Sequence, residues 1–170
     1  MYFSKIFLIG MPGSGKSTFG KKLSQKIGRQ FFDMDEQLER MIGMSIQQMF
    51  IEIGEDYFRE AEQKVLQMLI RLNEPAVIAT GGGAPCFYDN MEMMNKSGVT
   101  ILLNTPLDVI TQRVGEKKDV RPLVDKMSQQ ALSKEINEMY EMRKRYYDQA
   151  SFASDSNMEE ILHFLSTVRN

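Results

Sequence analysis

At 170 residues the chain suits one domain, residues 1–170, with enough length to bury a full core. Its 21 basic and 23 acidic residues leave a formal charge of -2, which argues against a dedicated nucleic-acid binder, and 42% hydrophobic with 26% charged residues argues against disorder. A lone cysteine, Cys86, and a lone histidine, His163, exclude an internal disulfide and a Cys/His zinc site, and no stretch approaches the ~18 apolar residues of a membrane span.

In chain order, Ile6–Ile9 reads as a buried strand running straight into Gly10-Met11-Pro12-Gly13, which leaves no apolar signal core. A soluble, cytoplasmic protein is therefore expected. Ser17 to Ile27 follows as a helix ended by Gly28, and Phe31-Phe32 as a short second strand. Helical stretches run from Glu36 to Met41 and from Ser45 to Ile53, the second opened by a Ser45…Gln48 capping box. A longer helix spans Tyr57 to Leu72, with Val65, Leu66 and Leu69 on one face. Ala76–Ala79 and Val99–Leu103 are further strands, and Thr105-Pro106 reads as the N-cap and first residue of another helix. From Gly115 to Lys126 the pattern breaks into a polar loop, after which a helix runs from Ser128 to Tyr147. Phe152-Ala153 is a short edge strand and Asn157 to Val168 a terminal helix. Strands alternating with helices predict an α/β, doubly wound, three-layer fold around a five-stranded parallel sheet.

Gly10-Met11-Pro12-Gly13-Ser14-Gly15-Lys16-Ser17 satisfies G-x-x-x-x-G-K-[ST] between a predicted strand and a predicted helix. Its glycines let backbone N–H groups converge on phosphate oxygens, and the positive end of the following helix adds to that field. Gly13, Ser14 and Gly15 belong to this nest; Lys16 is placed to reach the β and γ phosphates. Ser17 is placed to ligate Mg²⁺, and Thr18 to donate on the α-phosphate side. A guanine-reading Asn-Lys-x-Asp motif is missing, since Asn95-Lys96-Ser97-Gly98 lacks the aspartate and precedes its strand. A small kinase fits the length better than a switch or a motor.

A kinase must also hold an acceptor. Phe32-Asp33-Met34-Asp35 ends the second strand, and in strand geometry its two carboxylates point the same way. One can orient or deprotonate a hydroxyl while the other holds the waters around Mg²⁺; the alternative is a pair of helix N-terminal acids complementing the dipole. Arg59 has Glu55 at i−4 and Glu62 at i+3, which reads either as a solvated ion pair or as a clamp on a substrate carboxylate. Gly81-Gly82-Gly83 reads as a close approach of backbone to ligand, or as a tight turn.

The P-loop, Asp-x-Asp, Gly54-Glu55…Phe58-Arg59…Glu62, the triple glycine and Arg121-Pro122-Leu123 occur in one order that resembles the shikimate kinases. The resemblance covers nearly the whole chain. It implies ATP-dependent phosphorylation of the 3-hydroxyl of shikimate, on the route to chorismate; a monomer with Mg²⁺ as cofactor is expected. It further implies Asp35 as acceptor-binding carboxylate and catalytic base, with Asp33 as its partner near the metal. Arg59 and Arg143 would grip the shikimate carboxylate, where two guanidinium forks suit a planar acid. Gly81, Gly82 and Gly83 would line the same pocket over an acceptor segment of about 33–62. The loop at about 114–127 resembles a mobile lid carrying Arg121 over the phosphates, with Arg113 stacking on adenine. Asn157 falls near a C-terminal adenine contact of the family. Arg143, four residues before Tyr147, is preferred to Arg145 as the substrate arginine, although a proline common in the family between them is missing here. Another small-metabolite kinase, such as one acting on gluconate, or a nucleotide-binding regulator are the alternative functions.

His163 reads as a helix-surface residue and Cys86 as a packing residue. Met41, Met44 and Met49 lie in the segments that should bound the acceptor pocket. The charge of -2 is a sum of opposed segments: residues 1–32 carry six basic and no acidic residues, and residues 33–62 carry nine acidic against two basic. That segregation suits a polyphosphate in one place and isolated arginines in another.

Overall fold

The computed structural model describes residues 4–116 and 128–168. Five parallel strands form one sheet: β1 (Lys5–Ile9), β2 (Gln30–Asp33), β3 (Ala76–Ala79), β4 (Val99–Leu103) and β5 (Phe152–Ser154). Their spatial order is β2-β3-β1-β4-β5. The helices are α1 (Lys16–Ile27), α2 (Met34–Ile42), α3 (Ile46–Glu52), α4 (Glu55–Ile70), α5 (Asn90–Ser97), α6 (Leu107–Glu116), α7 (Gln129–Tyr147) and α8 (Met158–Thr167). A 3-10 turn, Ala84–Cys86, links the glycine run to α5.

Successive residues of the central strand β1 serve different layers. Ile6 and Leu8 pack with Phe19 and Leu23 of α1 and Ile161 of α8. Phe7 and Ile9 pack with Leu38, Met49, Val65 and Leu66 of α2, α3 and α4, and with Leu132 and Ile136 of α7. Every residue of β1, β3 and β4 is buried, because helices cover the sheet on both faces. Lys5 is no exception: its Nζ donates to the carbonyls of Leu72 and Glu74, each at 2.8 Å, at the opposite end of the strands from the phosphate loop.

The architecture is the three-layer α/β fold expected, with local differences. α5 was not anticipated. Its buried Met91 and Met94 are spaced i, i+3, but Asp89 makes no side-chain cap to announce it. Thr105 is not an N-cap either. The first i→i+4 bond runs from Ile110 N to Pro106 O, and the Thr105 hydroxyl instead donates to Ser14 O at 3.0 Å. That bond ties the β4–α6 connection to the phosphate loop. The polar loop expected from Gly115 begins later, because Val114, Gly115 and Glu116 still belong to α6. The remainder of the expected lid, including Arg121, Pro122 and Leu123, lies outside the described residues.

Candidate active site

The carboxyl ends of β1, β2 and β3 open onto one cleft of about 880 Å³. Phosphate-loop residues 12–18, Asp33, Asp35, Arg59, Glu62, Gly81, Gly82, Gly83, Arg113 and Arg143 all line it. The structure thus brings together every site residue expected from the sequence except Arg121, which falls outside the described residues.

The phosphate loop turns between β1 and α1 on Gly13 (φ 82°) and Gly15 (φ 92°), left-handed positions that cost a side-chain-bearing residue heavily. The loop then runs straight into α1, so the free N–H groups of the helix start face the cleft. Lys16 is buried and folds back on its own loop: Nζ donates to Gly10 O at 2.9 Å and Met11 O at 2.8 Å. Burial lowers its pKa to about 8, with Asp35 and then Asp33 opposing the shift. Arg113, on the last turns of α6, donates to Gly13 O at 3.2 Å.

Asp33 and Asp35 both reach the cleft, but not through the strand geometry expected. Asp33 is the last residue of β2 and the N-cap of α2, accepting from Asp35 N at 3.0 Å, while Asp35 already lies in the first helical turn. The helix-cap reading of these acids therefore holds, and capping is what aims them into the cleft. Ser17 Oγ donates to Asp33 Oδ2. Asp35 is pushed up to about 6, first by burial and then by the charge of Asp33, with Lys16 pulling the other way. Among the described residues no group of three or more His, Cys, Asp or Glu could hold a metal. The Ser17–Asp33 pair suits a hard cation such as Mg²⁺ that takes most of its oxygens from ligand and water.

Arg59 is 7% exposed, so its ion pairs are not those of a solvated helix face. Nη1 donates to Glu62 Oε2 at 2.8 Å, and Nε and Nη2 donate to Glu55 Oε1 at 3.2 and 3.1 Å. Also lining the cleft, Arg143 on α7 has a buried Nη1 without a hydrogen-bond partner among the described residues, and Glu62 Oε1 is likewise buried and unpaired among them. Burial pushes the Glu62 carboxyl up, against the pull of Arg59. Arg145 is exposed and donates to Tyr146 Oη, whereas Arg143 lines the cleft.

The triple glycine is a turn, closed by Ala84 N to Gly81 O at 3.1 Å, but the turn does not demand glycine, since none of the three has positive φ. Sterics do. A Cβ would stand 2.5 Å from Glu62 Oε1 at Gly81, 2.6 Å from Pro12 Cδ at Gly82, and 2.8 Å from Arg59 Nη2 at Gly83. The protein's own side chains occupy that space. From the far side, Tyr147 Oη donates to Gly82 O at 2.7 Å, joining α7 to the glycine run.

Several contributors escaped the sequence reading. Ile46, Phe50 and Phe58 form the apolar wall of the acceptor side. The methionines there do not: Met49 is fully buried in the core and Met41 is turned to solvent. Asn157 caps α8 by accepting from Glu160 N, and its neighbour Ser156, at φ 67°, lines the cleft instead. The Phe50–Phe58 ring pair, with centroids 4.5 Å apart, had no local signature beyond two aromatics.

A family model described as shikimate kinase matches residues 12–168. A shikimate kinase from Azobacteroides pseudotrichonymphae is 38% identical over 164 residues, covering 95% of this chain and 96% of the relative. A solved shikimate kinase from Bacteroides thetaiotaomicron superposes with a TM-score of 0.87 at 36% identity, over 96% of each chain. Another, from Acinetobacter baumannii and in complex with shikimate, superposes with a TM-score of 0.85 at 29% identity, over 96% of this chain and 93% of that one.

Proposed function

The chain belongs to the shikimate kinase family, and from that premise we propose how its cleft moves a phosphoryl group from ATP to the 3-hydroxyl of shikimate. ATP lies with its phosphates on Gly13–Thr18. Lys16 leaves the Gly10 and Met11 carbonyls for the β and γ phosphates, and Arg113 stands at the nucleoside side. Arg121, outside the described residues and carried over from the family motif, would neutralise charge on the transferring group.

Ser17 and Asp33 are the residues that would hold Mg²⁺. When bound, the ion neutralises charge on the β and γ oxygens. Shikimate offers its carboxylate to Arg59 and Arg143, and the buried Arg143 Nη1 has no hydrogen-bond partner among the described residues. Asp35 receives the proton of the 3-hydroxyl as that oxygen attacks phosphorus. With its pKa near 6, Asp35 is ionised at neutral pH yet more basic than a solvated aspartate. Gly81–Gly83 bring backbone within reach of the ring.

The observation that carries this reading is the meeting of the buried Arg59 and the half-buried Arg143 with Asp35 in the same cleft as the phosphate loop. All of these groups come from one chain, which favours a monomer; no described helix is long and apolar enough to cross a membrane. A cytoplasmic enzyme is the matching assignment. A coupled ADP-release assay with shikimate, gluconate or no acceptor tests the whole. ADP release that depends on shikimate and on added Mg²⁺ is expected. Stimulation by gluconate alone, or equal turnover without acceptor, overturns it.

A further inference from the structure

Arg59 is enclosed on more sides than its two glutamates account for. Its Cζ sits 4.0 Å from the centroid of the Phe87 ring, nearer than Phe58 at 4.8 Å or Phe50 at 6.0 Å. Phe50 and Phe58 line the cleft, whereas Phe87 is not among the lining residues. Phe87 is half-buried and presents its ring face to the guanidinium carbon from outside the cleft lining.

The backbone that carries Phe87 is held firmly. Cys86 N donates to Gly83 O at 2.9 Å, Asn90 N donates to Phe87 O at 3.3 Å, and the fully buried Asn90 amide donates to Ala84 O at 2.9 Å. Phe87 itself is extended, and the next residue, Tyr88, takes a left-handed conformation (φ 51°) unusual for an aromatic residue. One short turn therefore presents the glycine run to the cleft and an aromatic face to Arg59.

We propose that Phe87 is a positioning residue for acceptor binding: its ring fixes the plane of the Arg59 guanidinium, so that the fork meets a carboxylate without first being ordered. Glu55 and Glu62 set where the nitrogens point within that plane, and the ring sets the tilt of the plane. Pre-ordering a rotamer-rich side chain removes a cost otherwise charged to ligand binding. Stacking of a desolvated guanidinium on an aromatic face adds its own attraction. This inference rests on Arg59 gripping the acceptor carboxylate, and its test separates the two.

The measurement is steady-state kinetics of the full chain with shikimate and ATP. Phe87→Leu, which retains bulk but no π face, is expected to raise the KM for shikimate by about 3- to 30-fold. Its kcat and its KM for ATP stay within about twofold of the parent, because the ring touches neither phosphate nor acceptor hydroxyl. Phe87→Tyr is expected to restore the KM for shikimate. Should the leucine variant not fold, Phe87→Met reads the same split. Adding Phe87→Leu to Arg59→Lys is expected to raise the KM no further, since an ammonium has no plane to fix. If Arg59→Lys raises the KM for shikimate and Phe87→Leu does not, the Phe87 inference falls and the clamp stands. If Arg59→Lys leaves it unchanged, the clamp falls first. A KM for ATP that climbs in step with that for shikimate, or a tyrosine as poor as leucine, also overturns the inference.

Discussion

The two halves of the cleft differ in how their polar groups are satisfied. On the nucleotide side Lys16 donates to two loop carbonyls, Ser17 to Asp33 and Arg113 to Gly13. On the acceptor side two buried atoms, Glu62 Oε1 and Arg143 Nη1, have no hydrogen-bond partner among the described residues, and both Asp35 and Glu62 are pushed up by burial. A phosphate must therefore displace bonds the loop already makes, while an acceptor completes bonds the fold has left open. The first half trades one set of hydrogen bonds for another. The second carries a standing cost of about 1–3 kcal/mol per unpaired buried group, which its ligand can relieve.

The largest effect expected from this contrast belongs to Asp35→Asn. Losing a positioned base lowers kcat by roughly 10²- to 10⁴-fold, while ATP binding, read by nucleotide titration, is retained. The parent enzyme should show kcat/KM for shikimate rising through about pH 6 as Asp35 ionises, and that limb should vanish in the variant. Stability should move the other way. The folded pKa of Asp35 lies above its ordinary 3.8, so its contribution is present below about pH 4 and lost as pH rises through 6. At neutral pH the ionised carboxylate then costs the fold up to about 3 kcal/mol. Asp35→Asn is accordingly expected to melt several degrees higher at pH 7.5, with little gain at pH 4. A lower melting temperature at pH 7.5 would mean the acceptor side is not strained by this charge.

Next in size is Arg143→Leu, aimed at the unpaired donor. A hydrogen bond to a charged group is worth about 1.5–3 kcal/mol, so the KM for shikimate should rise by about 10- to 150-fold. The fold should suffer little, because among the described residues Nη1 has no hydrogen-bond partner to strand, and what is lost there is the charge of Arg143 beside Tyr147. A large drop in melting temperature with unchanged KM would show that Arg143 serves the packing of α7 rather than a ligand.

What was legible in the sequence follows the same division. The phosphate loop is local: strand, glycines, lysine and helix lie within a few residues of one another, and its chemistry can be read without the fold. The strands were legible because buried parallel strands are continuous apolar runs. The acceptor side is assembled from α2, α4, the glycine run and α7, and its contacts span the chain, as between Tyr147 and Gly82. Arg59 was visible with its glutamates because they share a helix, but Phe87 lies 28 residues away with no periodicity linking the two. Asp33 and Asp35 share the cleft, but through a cap and a first turn rather than the strand geometry the sequence suggests. The glycine run reads in sequence as an approach of backbone to ligand or a tight turn; the structure shows a turn against which Pro12, Arg59 and Glu62 pack, which could not be read locally.

Gly82→Ala tests the seam between the halves, where the glycine run meets Pro12 of the phosphate loop. A Cβ there would lie 2.6–2.9 Å from three proline atoms, a rigid ring and backbone that cannot swing aside. Overpacking of this kind costs typically about 1–3 kcal/mol, and the shift should raise KM for ATP and for shikimate together. An effect confined to shikimate would mean the two halves move independently.

The smallest effect concerns the turn that supports Phe87. Tyr88 is 56% exposed and holds φ 51°, so its conformation is imposed by its neighbours rather than chosen by its side chain. Asparagine visits that region more readily, so Tyr88→Asn should leave the kinetics alone and stabilise by a few tenths of a kcal/mol to about 1 kcal/mol. Valine is penalised there by its branched Cβ. Tyr88→Val should destabilise by about 1 kcal/mol and, by pulling Phe87 off Arg59, raise the KM for shikimate while leaving that for ATP unchanged. Chemical denaturation with parallel kinetics separates the two outcomes. If valine changes stability alone, the turn is mere support, and the acceptor side owes its order to the glutamates around Arg59.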